Sequence, residues 1–350
     1  MLTSALIKQI SIQYGADEVG IASLDRFEGA PRQMDPRYIF PGAKSLIGLI
    51  FRIPRGYLRG LEEGTQFCQY PSLGYAGINE DIAPTVLYRV GRYLEDNGFE
   101  ACVYRNTGGR GPVSDVTGKE EITVSPEEAH RTVNYARPLS PDRPAPDVFF
   151  HFRIAAYICG LGEIGYSKMF LSPRFGPLNR QAFILTDAAL ESDPIYNGPV
   201  LCNKCMACVK ACPGHCLNQH KTVDVKIAGR TVSWGEFDEW RCFAYYEGAN
   251  QASNPFLPSD AFQDLPGGEL IIKGMGRVDR QNYPRISKIL KSHYPAMPDG
   301  YNPPKCSGCL RACFQSMERR GVLKGKFQNP FRCGKALGLD ASSNINHDKP

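Results

Sequence analysis

The sequence predicts an α+β protein made of an N-terminal helix-and-strand part, a cysteine-rich second part and a short tail. The first part shows helix and strand patterns up to about residue 195. A segment rich in Pro, Gly and Asn (DPIYNGP, from Asp193) then leads into two cysteine runs, and a basic, glycine-rich stretch follows residue 322. We therefore predict boundaries at residues 1–195, 196–322 and 323–350.

Apolar spacing predicts the elements of the first part. Leu2, Leu6 and Ile10 lie on one face of a first helix that ends near Gly15, and a turn and short strand follow in GADEVGIASL. SLIGLIF, from Ser45, is a continuous apolar run of the kind that forms a buried strand. Apolar residues every four positions predict an amphipathic helix over residues 80–97, and FEACVY predicts a strand after it.

A polar, loop-rich stretch over residues 105–147 predicts either a segment that covers an active site or a disordered insertion. The apolar residues 148–158 run from it directly into the glycine loop GLGEIG, and AFILTDA, from Ala182, predicts another buried strand. GLGEIG follows a helix-like run, so it does not indicate a dinucleotide-binding fold. Its glycines indicate that the backbone approaches another group closely.

The run CNKCMACVKACP, from Cys202, has the spacing C-x2-C-x2-C-x3-C-P. This is the ligand run of bacterial two-cluster ferredoxins, in which three thiolates bind one [4Fe–4S] cluster and the fourth binds the other. Zinc sites usually use two separated pairs of ligands, and a disulfide knot needs an oxidising compartment. The spacing therefore predicts iron–sulfur clusters.

Two such clusters need eight thiolates, and the chain offers four more. Three stand in KCSGCLRACF and one in EWRCFAYYEG. The crossing rule assigns Cys202, Cys205, Cys208 and Cys313 to one cluster, and Cys212, Cys242, Cys306 and Cys309 to the other.

Five cysteines remain. Cys68, Cys102 and Cys159 are expected to be small buried hydrophobic residues, and Cys333 lies in the polar tail. Cys216 stands four residues after Cys212 and is an alternative ligand.

Composition excludes some classes of protein. Apolar content of 42% and charged content of 22% are ordinary for a globular chain. The formal charge of +5 falls to about +1 once eight thiolates and two cluster cores are counted, and no basic block indicates nucleic-acid binding. No apolar run is long enough for a membrane span, and no export signal precedes the first helix. We therefore expect a reducing, cytoplasmic setting.

The segment CGLGEIGYSKMFLSPRFGPLNRQAFILTDAAL, followed by the first cysteine run, resembles the cobalamin-dependent iron–sulfur reductases, namely the epoxyqueuosine reductases and reductive dehalogenases. Two N-terminal segments, GADEVGIASLDRF and FPGAKSLIGLIF, are also similar to the epoxyqueuosine reductases. So is the isolated Cys242, which is followed by Tyr245 and Tyr246. The resemblance covers roughly residues 15–60 and 150–315. The C-terminal helical repeats of epoxyqueuosine reductases are not found, and Phe314 follows Cys313 where the family usually has proline.

The resemblance implies a nitroreductase-like core that holds cobalamin without its base ligand, with a ferredoxin-like two-cluster domain appended to it. Reduced cobalt would then attack a carbon–halogen bond or an epoxide, while the protein supplies orientation, electrons and a proton. The cofactor-contacting residues would be Gly160, Leu161, Gly162, Glu163, Ile164 and Gly165 of the loop, together with Ser172.

The proton donor has several candidates. By resemblance to the epoxyqueuosine reductases it is an aspartate before the glycine loop, here Asp147 in preference to Asp142, although Asp147 also suits a helix N-cap. By resemblance to the dehalogenases it is a tyrosine beside a cation. Tyrosines at positions 135, 157 and 166 qualify, of which we favour Tyr166, with Lys168 or Arg174 as the partner. His151 suits the role chemically, although as a histidine in an apolar run it also suits a wall of the core.

The sequence therefore predicts a cytoplasmic oxidoreductase that cleaves a carbon–heteroatom bond in a small organic substrate. Its electrons would come from a low-potential donor such as ferredoxin or flavodoxin. Three alternatives stay open: an epoxyqueuosine reductase acting on tRNA, an electron-transfer protein that reduces a partner's cofactor, and a flavin-binding reductase on the same core.

Overall fold

The computed structural model describes residues 2–105, 138–144, 146, 148, 150–279, 281–294, 306–333 and 336. Within them the chain is a mixture of helices and strands, as predicted. The central sheet is built from β1 (Glu18–Ser23), β2 (Ser45–Arg52), β3 (Ala101–Tyr104) and β6 (Asn179–Thr186). All of its pairings are antiparallel, in the order β1-β2-β6-β3. Two shorter strands, β4 (Glu163–Ile164) and β5 (Phe170–Leu171), pair beside it.

Both faces of the central sheet are buried, which explains the uninterrupted apolar run of β2. Ile47 and Leu49 belong to one core, and Leu46 and Ile50 to the other, because successive side chains of a strand point to opposite faces. Helices α1 (Ser4–Gln13) and α3 (Ala83–Asp96) cover the first face. Helix α4 (Phe152–Ile158) covers the second.

The helix boundaries follow from local chemistry. Helix α1 begins after Thr3, whose hydroxyl accepts a hydrogen bond from the Leu6 N–H, and Gly15 follows its end with φ of +118°. Helix α3 begins at Ala83, slightly later than predicted. The residues before it, Tyr70–Ile82, form a wide π-helix that the sequence pattern did not reveal. Helix α2 (Arg59–Glu63) precedes that segment.

The cysteine-rich part contains short helices and one hairpin. Its helices are α5 (Ala207–Lys210), α6 (Glu239–Tyr246), α7 (Gly268–Ile271), α8 (Tyr283–Ser292) and α9 (Gly308–Arg319). The hairpin joins β7 (Leu217–Ile227) to β8 (Arg230–Phe237). Ala228 and Gly229 both have positive φ at its turn, as a two-residue turn of the primed type requires.

The predicted parts share their cores. Val232 and Trp234 of the hairpin pack in the same core as α4. Phe314 of α9 packs in the core beneath β2, and Phe331, from the described portion of the predicted tail, is fully buried there. The chain therefore packs continuously across residues 195 and 322.

Within the described ranges, no helix is both long and apolar enough to cross a membrane.

Candidate functional site

Four cysteines surround one cavity and form what we call the first thiol group: Cys202, Cys205, Cys208 and Cys313. The cavity has an empty volume of about 350 Å³, including space open to solvent. Burial and the nearby charges of Cys202 and Cys205 raise the pKa of Cys208 to about 11. Burial also raises the pKa of Cys313, and the charges of the other three sulfurs add to this. Thiols whose ionisation is opposed by neighbouring sulfurs, such as Cys208 and Cys313, fit a cationic centre placed among them.

Hydrogen-bond donors surround this group. The Tyr166 N–H donates to Cys202 Sγ at 3.3 Å, and Ser316 Oγ lies 3.2 Å from Cys205 Sγ. Burial alone would raise the pKa of Cys205, but the hydrogen bonds from Ser316 and from backbone N–H groups, with the charge of Arg320, lower it overall. These contacts favour the thiolate, which is the form that binds iron.

Four further cysteines form the second thiol group: Cys212, Cys242, Cys306 and Cys309. Burial raises the pKa of Cys306 to about 12, with added contributions from the charges of Cys212 and Cys242. Burial also raises the pKa of Cys309, and the charges of the other three thiolates add to the effect. The charge of Cys208 acts on Cys309 as well, so the two groups adjoin. The structure thus brings the eight cysteines together in the two sets that the crossing rule predicts, and their role as ligands remains a prediction.

Cys216 lies against the second thiol group. Its N–H donates to Cys212 Sγ at 3.3 Å, and its thiol hydrogen-bonds to both Cys212 and Cys242. The hydrogen bond to Cys216 lowers the pKa of Cys212 to about 6. Cys216 is thus a fifth thiol at this position, as the sequence spacing allowed.

In the part of the chain that the structure describes, no three His, Cys, Asp or Glu side chains converge closely enough to hold a single metal ion.

The glycine loop packs against the chain itself. A Cβ at Gly160 would lie 2.2 Å from the Pro194 carbonyl oxygen, and one at Gly162 would lie 2.0 Å from that of Leu171. Both residues also have positive φ, so only glycine fits at either position. The predicted close approach is therefore made, at these two residues, by neighbouring backbone.

The same loop fixes the first thiol group. Glu163 Oε2 accepts hydrogen bonds from the Leu201 and Cys202 N–H groups at 3.1 and 3.2 Å. Leu161 and Ile164 are buried in the core behind the loop, Gly165 lines the cavity, and Ser172 is fully buried with its hydroxyl accepting from the Phe175 N–H. The loop thus connects the core to the cysteine run.

Five side chains that interact with one another beside the second thiol group form a cluster that was not predicted, which we call the recess: Tyr70, Tyr75, Arg153, Arg180 and Tyr246. The Arg180 Nη2 donates to Tyr70 Oη at 3.0 Å, and its guanidinium lies 4.0 Å from the centre of the Tyr75 ring. Burial raises the pKa values of Tyr70 and Tyr246, while the charge of Arg180 acts in the opposite direction on both.

Arg153 is unusual in this recess. It forms no hydrogen bond or ion pair with any described residue, and burial lowers its pKa. The charges of Cys242 and Cys309 act most strongly to raise its pKa, whereas the charge of Arg180 adds to the lowering. Arg153 and Arg180 keep some accessible surface although burial desolvates both of their charges. Two such cations suit an anionic or polar ligand.

Two more polar side chains lie on the π-helix or at the start of α4, the elements that carry Tyr70, Tyr75 and Arg153. Asn79, on the π-helix, is 1% exposed, and neither its amide nitrogen nor its oxygen has a partner. His151 accepts a hydrogen bond from the Ile154 N–H at the start of α4. Burial holds the pKa of His151 well below its usual value, helped by the charges of Arg153 and Lys168, so this histidine is neutral at pH 7.

The predicted proton donors fall in different places. Asp147 and Tyr135 lie outside the described residues. Tyr166 is buried, and its hydroxyl donates to the Asn218 carbonyl at 2.8 Å. Tyr157 is buried in the core beneath the sheet, and Arg174 donates to the Asp17 carbonyl. Lys168 lies 3.8 Å from Glu239.

One curated protein supports the resemblance drawn from the motifs. The epoxyqueuosine reductase of Synechococcus sp. (strain CC9605) is 24% identical over 215 residues, which cover 60% of this chain and 52% of that protein. The chain therefore aligns with about half the length of this relative. The match confirms the predicted resemblance to this group of reductases.

The chain also shows structural similarity to two proteins of the resembled groups. The catabolic reductive dehalogenase NpRdhA matches with a TM-score of 0.46 at 16% identity, over 97% of this chain and 41% of that one. The epoxyqueuosine reductase of Streptococcus thermophilus matches with a TM-score of 0.43 at 16% identity, over 87% and 70%. No protein-family model matches the chain.

Proposed function

We propose that this protein is an iron–sulfur reductase that cleaves a carbon–heteroatom bond, of halide or epoxide type, in a small organic substrate. The observation that supports this most directly is the order in which three sites lie in the fold. The first thiol group adjoins the second, and the second adjoins the recess. An electron that enters at the first group would reach the recess through the second. A two-cluster electron carrier has no need of a polar recess at the end of this path.

Each thiol group would hold one [4Fe–4S] cluster. Cys205 of the first group is exposed, so a low-potential donor such as ferredoxin or flavodoxin would deliver electrons there. Cys306 and Cys309 of the second group interact with Tyr246 and Tyr70 of the recess. The cluster of the second group is therefore proposed as the one nearer the reaction.

Cobalamin is the proposed cofactor of the recess, and the sheet part is then a nitroreductase-like core with a ferredoxin-like domain appended. The residues present fit a ligand that carries amide or phosphate oxygens, because the Arg153 guanidinium keeps some accessible surface and forms no hydrogen bond or ion pair with any described residue. When bound, the cofactor supplies a strongly reducing cobalt centre. Contact of residues 160–165 and Ser172 with the cofactor stays a prediction; Gly160 and Gly162 pack against the backbone of Pro194 and Leu171, and Ser172 is fully buried.

Tyr246 is proposed as the proton donor in place of Tyr166, Asp147 or His151. It keeps accessible surface in the recess and hydrogen-bonds to Tyr70. Burial keeps its hydroxyl protonated at neutral pH, and the charge of Arg180 would stabilise the phenolate left after proton transfer. The proposed acid is thus still a tyrosine beside a cation, but the pair is Tyr246 and Arg180 and not Tyr166 with Lys168 or Arg174.

A second candidate is reduction of epoxyqueuosine in tRNA, which the curated sequence relative favours. It uses the same clusters, cofactor and recess, and differs in whether the substrate is attached to a nucleic acid.

The experiment is a turnover assay on anaerobically reconstituted protein supplied with cob(II)alamin and a reduced viologen dye. Halogenated phenols and benzoates, small epoxides and a tRNA stem-loop that carries epoxyqueuosine are the substrates. Dehalogenated or deoxygenated product from a small molecule supports the first candidate, and product from the stem-loop alone supports the second. Dye oxidation without any product from a protein that contains clusters and cobalamin would refute both.

A further inference from the structure

The first thiol group has a neighbour whose hydrogen-bonding capacity is unused. Arg320 lines the same cavity as Cys202, Cys205, Cys208 and Cys313. One end of its guanidinium donates to the Leu201 carbonyl. Its Nε atom, however, is buried and has no hydrogen-bond partner. A buried, charged N–H group without a partner lowers folding stability. We therefore expect a hydrogen-bond acceptor next to this atom.

The possible acceptors are sulfurs. The charge of Arg320 acts on Cys205 and on Cys313, in each case favouring the thiolate. Ser316, one helical turn earlier on α9, already contacts Cys205 Sγ. Arg320 follows the end of α9, so the two side chains reach the cavity from the same stretch of chain.

Hydrogen bonds and positive charge next to a cluster change its reduction potential, and so affect electron transfer. Reduction adds a negative charge to an iron–sulfur cluster, and hydrogen bonds to its sulfurs and nearby positive charge both stabilise the reduced form. A cluster in this cavity would present sulfide and thiolate sulfurs as acceptors, which is what the unpaired Nε–H of Arg320 requires.

We propose that Arg320 donates its Nε–H to a sulfur of the cluster held by the first thiol group and thereby raises the reduction potential of that cluster alone. The inference rests on the proposed function, because it requires that the first thiol group binds a cluster. Arg320 is then a positioning and tuning residue for electron entry. It takes no part in the chemistry of the substrate.

The test is an EPR-monitored redox titration of the reconstituted protein, with the iron and sulfide content measured first. The R320Q variant should favour the oxidised form of one cluster at least tenfold more than the unmodified protein does, equivalent to a potential about 59 mV lower for a one-electron step. The other cluster should keep its potential. R320K retains the charge and lacks the Nε donor, so it should lower the same potential by a smaller amount.

Arg319 provides the matched control, since it is the adjacent arginine on α9 and is exposed. R319Q should leave both potentials unchanged. If R320Q fails to retain the cluster, R320K decides the question. Unchanged potentials in a cluster-loaded R320Q or R320K protein, or equal shifts in R319Q and R320Q, would overturn the inference and leave the proposed function standing. A native protein that binds no iron after reconstitution would overturn both.

Discussion

Individual thiols in this protein are distinguished by what surrounds them. Cys313 is near three other sulfurs of the first thiol group, whereas Cys216 hydrogen-bonds to Cys212 and Cys242 as an additional thiol beside the second. Spacing along the sequence could predict which cysteines group together because a cysteine run of this kind is a local structure, and their role as ligands stays a prediction. It could not exclude Cys216, because that residue lies at a ligand-like distance from Cys212.

Replacing a thiol separates these roles. C313S should lower the iron and sulfide content to about half, because one of two four-iron clusters loses a ligand. C216S should retain both clusters. Iron and sulfide analysis after anaerobic reconstitution measures this, with matching EPR spectra. If C216S loses iron while C242S does not, Cys216 is the ligand and Cys242 is the spare thiol.

The recess depends on side chains that have no shared motif. Arg153, Arg180 and Tyr246 come from α4, β6 and α6, far apart in sequence. In the sequence, Arg180 in the strand NRQAFILT is indistinguishable from an arginine at an exposed sheet edge. In the fold it lies beside three tyrosines. The aromatic pair after Cys242 was the one available signal, and it indicated a resemblance without indicating a role.

The Y246F variant removes the proposed acid while keeping the ring. Turnover should fall by about 10²- to 10⁴-fold, the usual contribution of a general acid, with both clusters retained. Y245F is the matched control, because the neighbouring Tyr245 donates to the Ile271 carbonyl away from the recess. Product formation under reducing conditions measures the effect. Equal activity in Y246F and the unmodified protein would remove Tyr246 from the mechanism.

His151 should contribute a pH dependence to stability. Its pKa is depressed in the folded protein, so on acidification the unfolded chain binds the proton first, near a pKa of about 6.5. Folding stability should therefore fall as the pH drops below that value, by about 1 kcal/mol between pH 7 and 5.5. H151N keeps a capping side chain and should lack this component. Urea unfolding at both pH values measures it, and parallel losses in the two proteins would contradict the assignment.

At the scale of elements, helix α9 links the two thiol groups to the rest of the molecule. Arg311, between Cys309 and Cys313, is fully buried and ion-paired with Glu62 of α2. Glu62 also pairs with Arg332, whose Nη2 lies 3.1 Å from Glu62 Oε2. One buried carboxylate therefore joins α2, α9 and the chain that follows α9.

The E62Q variant should be strongly destabilised, because it leaves a buried guanidinium without its counter-charge. A cost of about 3–5 kcal/mol is typical when one partner of a buried pair is removed. E63Q is the matched control, since the adjacent Glu63 pairs with Arg59 while half exposed, and such pairs contribute at most about 1 kcal/mol. Urea unfolding measures both. Similar stabilities would show that Glu62 does not hold α9 in place.

A comparison of predicted and missed elements shows why sequence patterns predict only part of the fold. Strands β2 and β6 were predicted because they lie in a sheet that is buried on both faces, which requires continuous apolar runs. The π-helix of Tyr70–Ile82 was missed because its wider turn has no characteristic composition. The β7–β8 hairpin was missed because its Ala-Gly turn differs from the usual Asn-Gly signal.

For the whole molecule, the predicted parts hold together through shared cores and a path of neighbouring groups. Cys205 of the first thiol group is exposed, Cys212 of the second is buried, and the recess adjoins the second group. The arrangement suits a protein that takes up electrons at one surface and uses them inside. The spacing of the cysteines predicted the eight thiols, and motifs indicated the resemblance to a family, whereas the order of these sites could be seen only in the fold.

The most direct measurement is EPR spectroscopy of the anaerobically reconstituted protein, with cob(II)alamin added to the native chain and to an R153Q/R180Q variant. The account predicts that the native protein changes the cobalt spectrum from that of free cobalamin to that of a base-off form, beside the signals of two reducible four-iron clusters. The variant should keep the clusters and lose the change at cobalt. A cobalt spectrum identical to that of free cobalamin, in a native protein with both clusters present, would contradict the proposed cofactor and its site.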